Sequence, residues 1–172
     1  MTLNLGNEAN FFFESDRGES ASKTEDMKTI FCSIHGYTHW EDSLIQIINT
    51  AEFQRMKRIK QLAAVHHVFP GATHTRFEHS IGVGHLAECF AKRLIERHPT
   101  LPICAFTLKL AGLCHDLGHG PLSHGYDAFL CKTRPEIPMH EFRSVILLRK
   151  LVEKYSISLC QMKAKKFGLT HF

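Results

Sequence analysis

The sequence has no apolar run approaching the roughly 20 residues that a membrane-spanning helix needs, so no transmembrane segment is expected. Near the N-terminus the only apolar patch is Phe11, Phe12 and Phe13, with no basic stretch ahead of it, which does not fit a secretory signal. The six cysteines, Cys32, Cys89, Cys104, Cys114, Cys131 and Cys160, form no Cys-x-x-Cys pair, which argues against a zinc ribbon or a thioredoxin-type motif. These absences point to an intracellular protein, of nucleus or cytoplasm, whose thiols are reduced and serve mostly as core side chains. No internal repeat and no second domain can be discerned. What is present suits one folded domain with a real core: 172 residues, 44% apolar and 22% charged. A net charge of +4 with thirteen histidines is compatible with an anionic ligand such as a nucleotide.

Residues 1–27 include ESDRGESASKTED, polar and without periodicity, and read as a disordered arm. The folded domain is expected over 28–158, with 159–172 as a frayed tail. KTIFCSI (28–34) has weak alternation and is followed by His35-Gly36, giving a short N-terminal β-hairpin. From Glu41 the pattern turns helical, with Leu44, Ile45, Ile47 and Ile48 apolar. Asn49 with Glu52 resembles a capping box opening a second helix, AEFQRMKRIKQL. Its Arg55, Lys57, Arg58 and Lys60 form either a solvated basic face or one turned to phosphate. Pro70-Gly71 marks a loop over 68–74. A third helix over 75–97 places His79, Val83, Leu86, Phe90 and Leu94 on one face, expected to point into the core. The segment 103–116 is apolar nearly all round and is expected in the middle of an all-α fold, ending at Gly118 through a positive φ or a tight turn. A last helix over 140–156 carries Val145, Leu148, Val152 and Tyr155.

The segment LAGLCHDLGHGPLSH (110–124) carries the chemistry. A buried carboxylate is costly unless it is paired or binds metal, and imidazole with carboxylate is a common ligand set for first-row metals. His79 on one inward helix, with His115 and Asp116 ending its neighbour, converge on one ion and leave positions open for water and substrate. A metal-bound water has its pKa lowered towards neutrality. His119 and His124 follow on the next loop near Asp127, which is placed to fix a histidine tautomer. His140 opens the last helix as a general acid. For His119, His124 and His140 a structural role is an equal alternative. Arg76, within a turn of His79, fits a phosphate clamp, with a surface ion pair to Glu78 as its alternative.

Three ordered stretches, KQLAAVHHVFPGATHTRFEHSIGVGHL (60–86), LAGLCHDLGHGPLSHGYD (110–127) and HEFRSV (140–145), resemble the HD-domain superfamily and, within it, the dNTP triphosphohydrolases. The resemblance implies an all-α HD-domain bundle with a divalent transition metal (iron, zinc or manganese) on His79, His115 and Asp116. It implies cleavage of a dNTP, accompanied by Mg, at the α-phosphate into deoxynucleoside and tripolyphosphate. It also implies Gln61 at the sugar 3′-hydroxyl, Leu62 against the 2′ position, and Arg76, His119 and His124 at phosphates. Asp127 is then a supporting carboxylate and His140 the proton donor to the leaving 5′-oxygen.

The resemblance covers the N-terminal portion of the family's HD domain. The family's second metal-binding aspartate lies well beyond the His-Asp pair, and no aspartate follows Asp127 in this sequence. A three-ligand site should bind metal more weakly, and uncovered apolar faces such as that of 140–156 invite a partner. Positions that read an allosteric nucleotide in the family are Asn49, Lys57, Thr29 and Phe31 here, which departs from its pattern. Three readings stay open: a metal-dependent phosphohydrolase acting on dNTPs, and a catalytically inactive or partial HD protein that binds nucleotide, a second copy or a full-length relative. The third is a module for single-stranded nucleic acid using residues 55–60 and the KAKK tail, which has little aromatic interleaving to support it.

Overall fold

Lys28–Cys32 (β1) and Gly36–Trp40 (β2) pair antiparallel, with Lys28 opposite Trp40 and Cys32 opposite Gly36. The turn closes at Gly36 with φ +69°, a left-handed conformation that glycine adopts without a Cβ penalty. The period of two along β2 sends Thr38 and Trp40 inward and leaves Tyr37 and His39 outside. The expected hairpin is present, and the rest is helical. This computed structural model describes residues 27–159, so nearly all of the arm and tail expected at the two ends lies outside the described residues.

Six helices follow: α1 (Asp42–Ile48), α2 (Ala51–Gln54), α3 (Arg76–Arg97), α4 (Ala105–Cys114), α5 (His124–Thr133) and α6 (His140–Lys154). Among the described residues no helix is long and apolar enough to cross a membrane. The core gathers Trp40, the buried face of α1 (Leu44, Ile47), Phe53, Met56, Leu113, Leu117 and Leu151. The second helix is much shorter than its pattern predicts. Thr50, not Asn49, caps it by accepting from the Phe53 N–H at 3.3 Å. After one turn the chain tightens into a 3₁₀ segment, Arg55–Arg58, and then extends. The cause is tertiary: the Ile59 carbonyl accepts from the Arg76 N–H at 2.9 Å, and Lys60 bridges to Thr75, tying this segment to the entry of α3.

α3 begins where expected, with a reciprocal cap. Thr75 Oγ1 accepts from the Glu78 N–H, and Glu78 accepts from the Thr75 N–H. Its buried face is not the predicted one, because Leu86 is 49% and Phe90 62% exposed. Ser80, Ile81, Gly84 and Ala91 face inward instead. α3 and α4 approach so closely that a Cβ on Gly112 would lie 3.0 Å from the Val83 carbonyl, and one on Gly84 would lie 3.3 Å from the Leu113 Cβ. Small residues permit that approach, so they occupy the interface and the larger apolar stripe is left outside.

α4 is likewise not buried all round, since Ala111 is exposed. His115 is its C-cap and Asp116 lies in the turn just beyond, a little later than expected. Gly118 needs no positive φ. It is glycine because α6 passes over it, and a Cβ there would sit 2.6 Å from the Ser144 nitrogen. α6 keeps Ser144 and Leu151 inside, while Val145 (51%) and Tyr155 (41%) are exposed, in line with the uncovered apolar face expected over 140–156. Ser144 sets that rotation by donating to the His115 carbonyl at 2.6 Å and accepting from the Gly118 N–H at 2.8 Å. α5 was not expected, because Leu130 is its only buried apolar residue. The thiols are free where described, but only Cys114 is buried, which corrects the reading of the cysteines as mostly core. Burial pushes the Cys114 thiol up to about 12.

An unforeseen buried charge joins the hairpin to this helical pair. Lys109 of α4 is 1% exposed, and its ammonium lies 2.6 Å from Glu88 and 3.0 Å from Glu41. It also donates to the His39 carbonyl at 2.7 Å and sits 4.8 Å from the Trp40 ring centroid. Replacing it with an apolar residue strands the Glu41 carboxylate and leaves Glu88 only Lys92, 2.9 Å away on its own helix. Lys109→Met is therefore expected to lower stability by about 3–5 kcal/mol in urea denaturation, with partial recovery when Glu88→Gln is added. A loss below about 1 kcal/mol would mean that the cluster has no net structural value.

Candidate metal centre

The cap on α3 fixes its first turn, and that turn aims Arg76 and His79 at the end of α4. His79 Nε2 lies 3.6 Å from Asp116 Oδ2, and His115 Nε2 lies 3.4 Å from Asp116 Oδ1. The two imidazoles meet edge to face at 5.2 Å. His115 Nδ1 is 2.7 Å from the Gly112 carbonyl, which can only accept, so the ring proton sits on Nδ1 and Nε2 is left as a ligand atom. His79, His115 and Asp116 together offer three ligand atoms within 4.8 Å of one another. The histidine side chains are 34% and 38% exposed against 3% for Asp116, so the trio opens to solvent on its imidazole side.

Arg76 is buried behind Asp116. Its Nη1 contacts Asp116 Oδ2 at 2.5 Å, and its Nε donates to Ser123 Oγ at 2.9 Å. Glu78, the alternative partner, is spent on the cap of α3. Arg76 Nη2 is buried without a hydrogen-bond partner. Ser123 Oγ donates to the Lys60 carbonyl at 2.7 Å, so one hydroxyl ties this arginine to the segment preceding Gln61. Holding Ser123 there puts Leu122 at φ +60° and Ser123 at φ +54°, a conformation costing about 1–3 kcal/mol at each non-glycine residue.

A second group lies alongside: His119, His124, Asp127 and His140, again with ligand atoms within 4.8 Å of one another. His140 Nδ1 donates to Asp127 Oδ2 at 2.5 Å, and Arg143 donates to Asp127 Oδ1. The His119 ring stacks on His140 at 3.8 Å with planes 20° apart, and His124 meets His119 edge-on at 4.9 Å. His119 Nε2 is 3.4 Å from Asp116 Oδ1, the contact that joins the two groups. Of the residues singled out in the sequence, eight are therefore brought together. Gln61 and Leu62 are not among the hydrogen bonds and ring contacts of either group.

The family model for the HD domain matches residues 76–168, more than half of the chain. The chain belongs to the HD domain family. It is 44% identical over 155 residues to the deoxynucleoside triphosphate triphosphohydrolase SAMHD1 of Mus musculus, an alignment covering 87% of this chain and 23% of that protein. The Danio rerio protein of the same name is 49% identical over 139 residues, covering 78% of this chain and 22% of its own length. The Homo sapiens one is 46% identical over 136 residues, with 76% and 22% covered. The chain thus spans less than a quarter of the length of these relatives.

In this HD domain the electrostatics follow from burial and pairing. Burial works to raise the Asp116 carboxyl, but His119, His115 and Arg76 overcome it and hold Asp116 well below the usual carboxylate range. Burial pushes His79 and His119 down, towards the neutral imidazole that metal ligation requires. Asp127 is raised by burial and lowered more by Arg143 and His140. Arg143 and Ser123 were not singled out in the sequence. Arg143 follows His140 by three residues and so shares its helical face, and Asp127 needed a cation. Arg55 turns inward from its basic segment and donates to the Leu117 and His119 carbonyls, clamping the loop.

The depressed Asp127 pKa fixes a sign. A carboxylate whose folded value lies below its ordinary 3.8 stabilises the fold fully above that value, and the contribution is lost as pH falls through the folded value. Asp127→Asn is therefore expected to cost about 1–3 kcal/mol at pH 7, because Arg143 loses its charged partner. It should also flatten the fall of stability below pH 4 in urea titrations at stepped pH. An unchanged acid slope would remove Asp127 from that role.

Proposed function

We propose that this chain carries a metal-dependent phosphohydrolase site that acts on deoxynucleoside triphosphates, giving deoxynucleoside and tripolyphosphate. The observation that carries the reading is the Asp116 carboxylate, flanked by His79 on one oxygen and His115 on the other, directly beside the His140–Asp127 pair. His79, His115 and Asp116 would hold a divalent transition metal of the iron, zinc or manganese kind. The fit is chemical: one buried carboxylate and two imidazoles, one with its proton directed away from the ligand side. When bound, such an ion supplies Lewis-acid polarisation of a phosphate and a lowered pKa for water.

The remaining residues have separable roles. Arg76, with one guanidinium nitrogen unpaired, binds phosphate oxygens, as do His119 and His124. Asp127 orients His140 through Nδ1 and leaves Nε2 to protonate the departing 5′-oxygen, the task of a general acid. Gln61 and Leu62 lie towards the sugar, the first at its 3′-hydroxyl and the second crowding a 2′-hydroxyl. Mg²⁺ accompanies the triphosphate as part of the substrate. The relatives' name, deoxynucleoside triphosphate triphosphohydrolase, supports this choice of substrate.

A second reading is an inactive or partial HD protein that binds nucleotide, another copy or a full-length relative. It is favoured by the apolar side chains left outside on α3 and α6, among them Leu86, Phe90, Phe142 and Ile146. The nucleic-acid reading is weakened, because Arg55 and Lys60 spend their donors on main-chain carbonyls.

Two measurements separate these readings. Mass spectrometry of the purified chain should find about one transition metal per chain, absent from Asp116→Ala. With metal supplied, dNTP turnover should release deoxynucleoside and tripolyphosphate, and His140→Ala should slow it by about 10²–10⁴-fold. Bound metal without turnover of any dNTP would hand the protein to the second reading.

A further inference from the structure

The group His119, His124, Asp127 and His140 has more capacity than acid–base chemistry needs. Its ligand atoms lie as close together as those of the Asp116 trio. His119 has a fully buried side chain, yet neither ring nitrogen has a well-aligned hydrogen-bond partner, the nearest acceptors being Asp116 Oδ1 at 3.4 Å from Nε2 and Asp127 Oδ2 at 4.0 Å from Nδ1. An imidazole carries at least one N–H and one lone pair, and leaving both unanswered away from water is costly unless something binds there. His140 presents Nε2, because its Nδ1 proton is held by Asp127 Oδ2. The other Asp127 oxygen is held by Arg143, so the carboxylate is fixed from both sides. This is the carboxylate–histidine arrangement that orients ligands at metal sites. His124, at the start of α5, is exposed and gives an ion a way in from solvent.

We infer that His119, His124 and His140, backed by Asp127, form a second metal site, selective for zinc-class ions and separate from the Asp116 trio. Three imidazoles favour Zn²⁺, Co²⁺ or Ni²⁺ over Mg²⁺, which prefers oxygen ligands. Binding requires the stacked His119 ring to turn so that its lone pair meets that of His140. That turn gives up the stack on His140 and the 3.4 Å contact with Asp116, but no shorter hydrogen bond. The 3.4 Å contact between His119 Nε2 and Asp116 Oδ1 places the two sites side by side, so a filled pair would be a two-metal centre with Asp116 between. The consequence for turnover rests on the reading proposed above: an ion on these imidazoles occupies the proton donor, so excess zinc inhibits.

The test is titration of the metal-stripped 172-residue chain with Co²⁺, following visible absorption and stoichiometry, with Mg²⁺ as a control. Wild type should bind two Co²⁺, and His124→Ala and His79→Ala one each, with different spectra. His124 is exposed, so its loss leaves the packing intact, and His79→Ala provides an independent count of the second site. One equivalent in both wild type and His124→Ala would overturn the second site while leaving the Asp116 centre standing. One equivalent in wild type, retained in His79→Ala but lost in His124→Ala, would support the second site and remove the metal from the Asp116 trio. Mg²⁺ displacing the second Co²⁺ at equal concentration would overturn the zinc-class assignment.

Discussion

A carboxylate taken out of water at the end of α4 must be met by positive charge or hydrogen-bond donors, and Asp116 is met by Arg76. Much of the surrounding architecture follows from that pairing. Arg76 can reach only if α3 starts where it does, which the Thr75–Glu78 cap ensures. It needs a further acceptor, and Ser123 supplies one at the cost of two consecutive left-handed residues. That cost, of order a few kcal/mol, is smaller than the cost of a buried guanidinium or carboxylate left alone. The strained turn then delivers His124 and Asp127 to their places, so the charge requirement of one residue positions the neighbouring group as well.

The Lys109 cluster solves the same problem differently. There the cation lies at the centre with Glu41 and Glu88 about it, and all three residues serve packing between hairpin, α3 and α4. In the Asp116 group the histidines stay partly exposed and the arginine keeps a free donor. One buried charge network is therefore closed and structural, whereas the other is open and has unused valence. Each network keeps a buried atom without a hydrogen bond, Glu41 Oε2 in the first and Arg76 Nη2 in the second, so what distinguishes them is the solvent opening at His79 and His115.

The grouping of the site residues was more legible in the sequence than the packing. His79, His115 and Asp116 come within reach of one another as expected, whereas Asp127 pairs with His140 and not with the loop histidines His119 and His124 beside which it was read. The buried face of α3 was misread because apolar periodicity assumes that the largest side chains lie inside. At the α3–α4 contact the decisive variable is how closely two backbones approach, which favours Gly84, Gly112 and Ser80 over Leu86 and Phe90. α5 had too little apolar pattern to be seen, and the second helix was cut short by main-chain bonds to the distant segment that enters α3. Lys109 was invisible for a related reason. A lysine is buried only when partners distant in sequence are ready for it, and no local window contains Glu41 and Glu88 together with it.

Charge balance at the site adds a constraint on the order of events. With neutral imidazoles the two carboxylates, Asp116 and Asp127, are matched one to one by Arg76 and Arg143, so the ligand-free group is formally neutral. A neutral, partly desolvated pocket has little long-range attraction for a triphosphate bearing several negative charges. One divalent ion on the Asp116 trio makes the group formally +2 without breaking either arginine pair. On the reading proposed above, the field that would draw in a polyphosphate therefore arises largely from the ion, because the charges of Arg76 and Arg143 are already balanced by Asp116 and Asp127. Metal before nucleotide is then the order that electrostatics favours. A chain unable to retain the ion would lose affinity for the phosphates together with its chemistry.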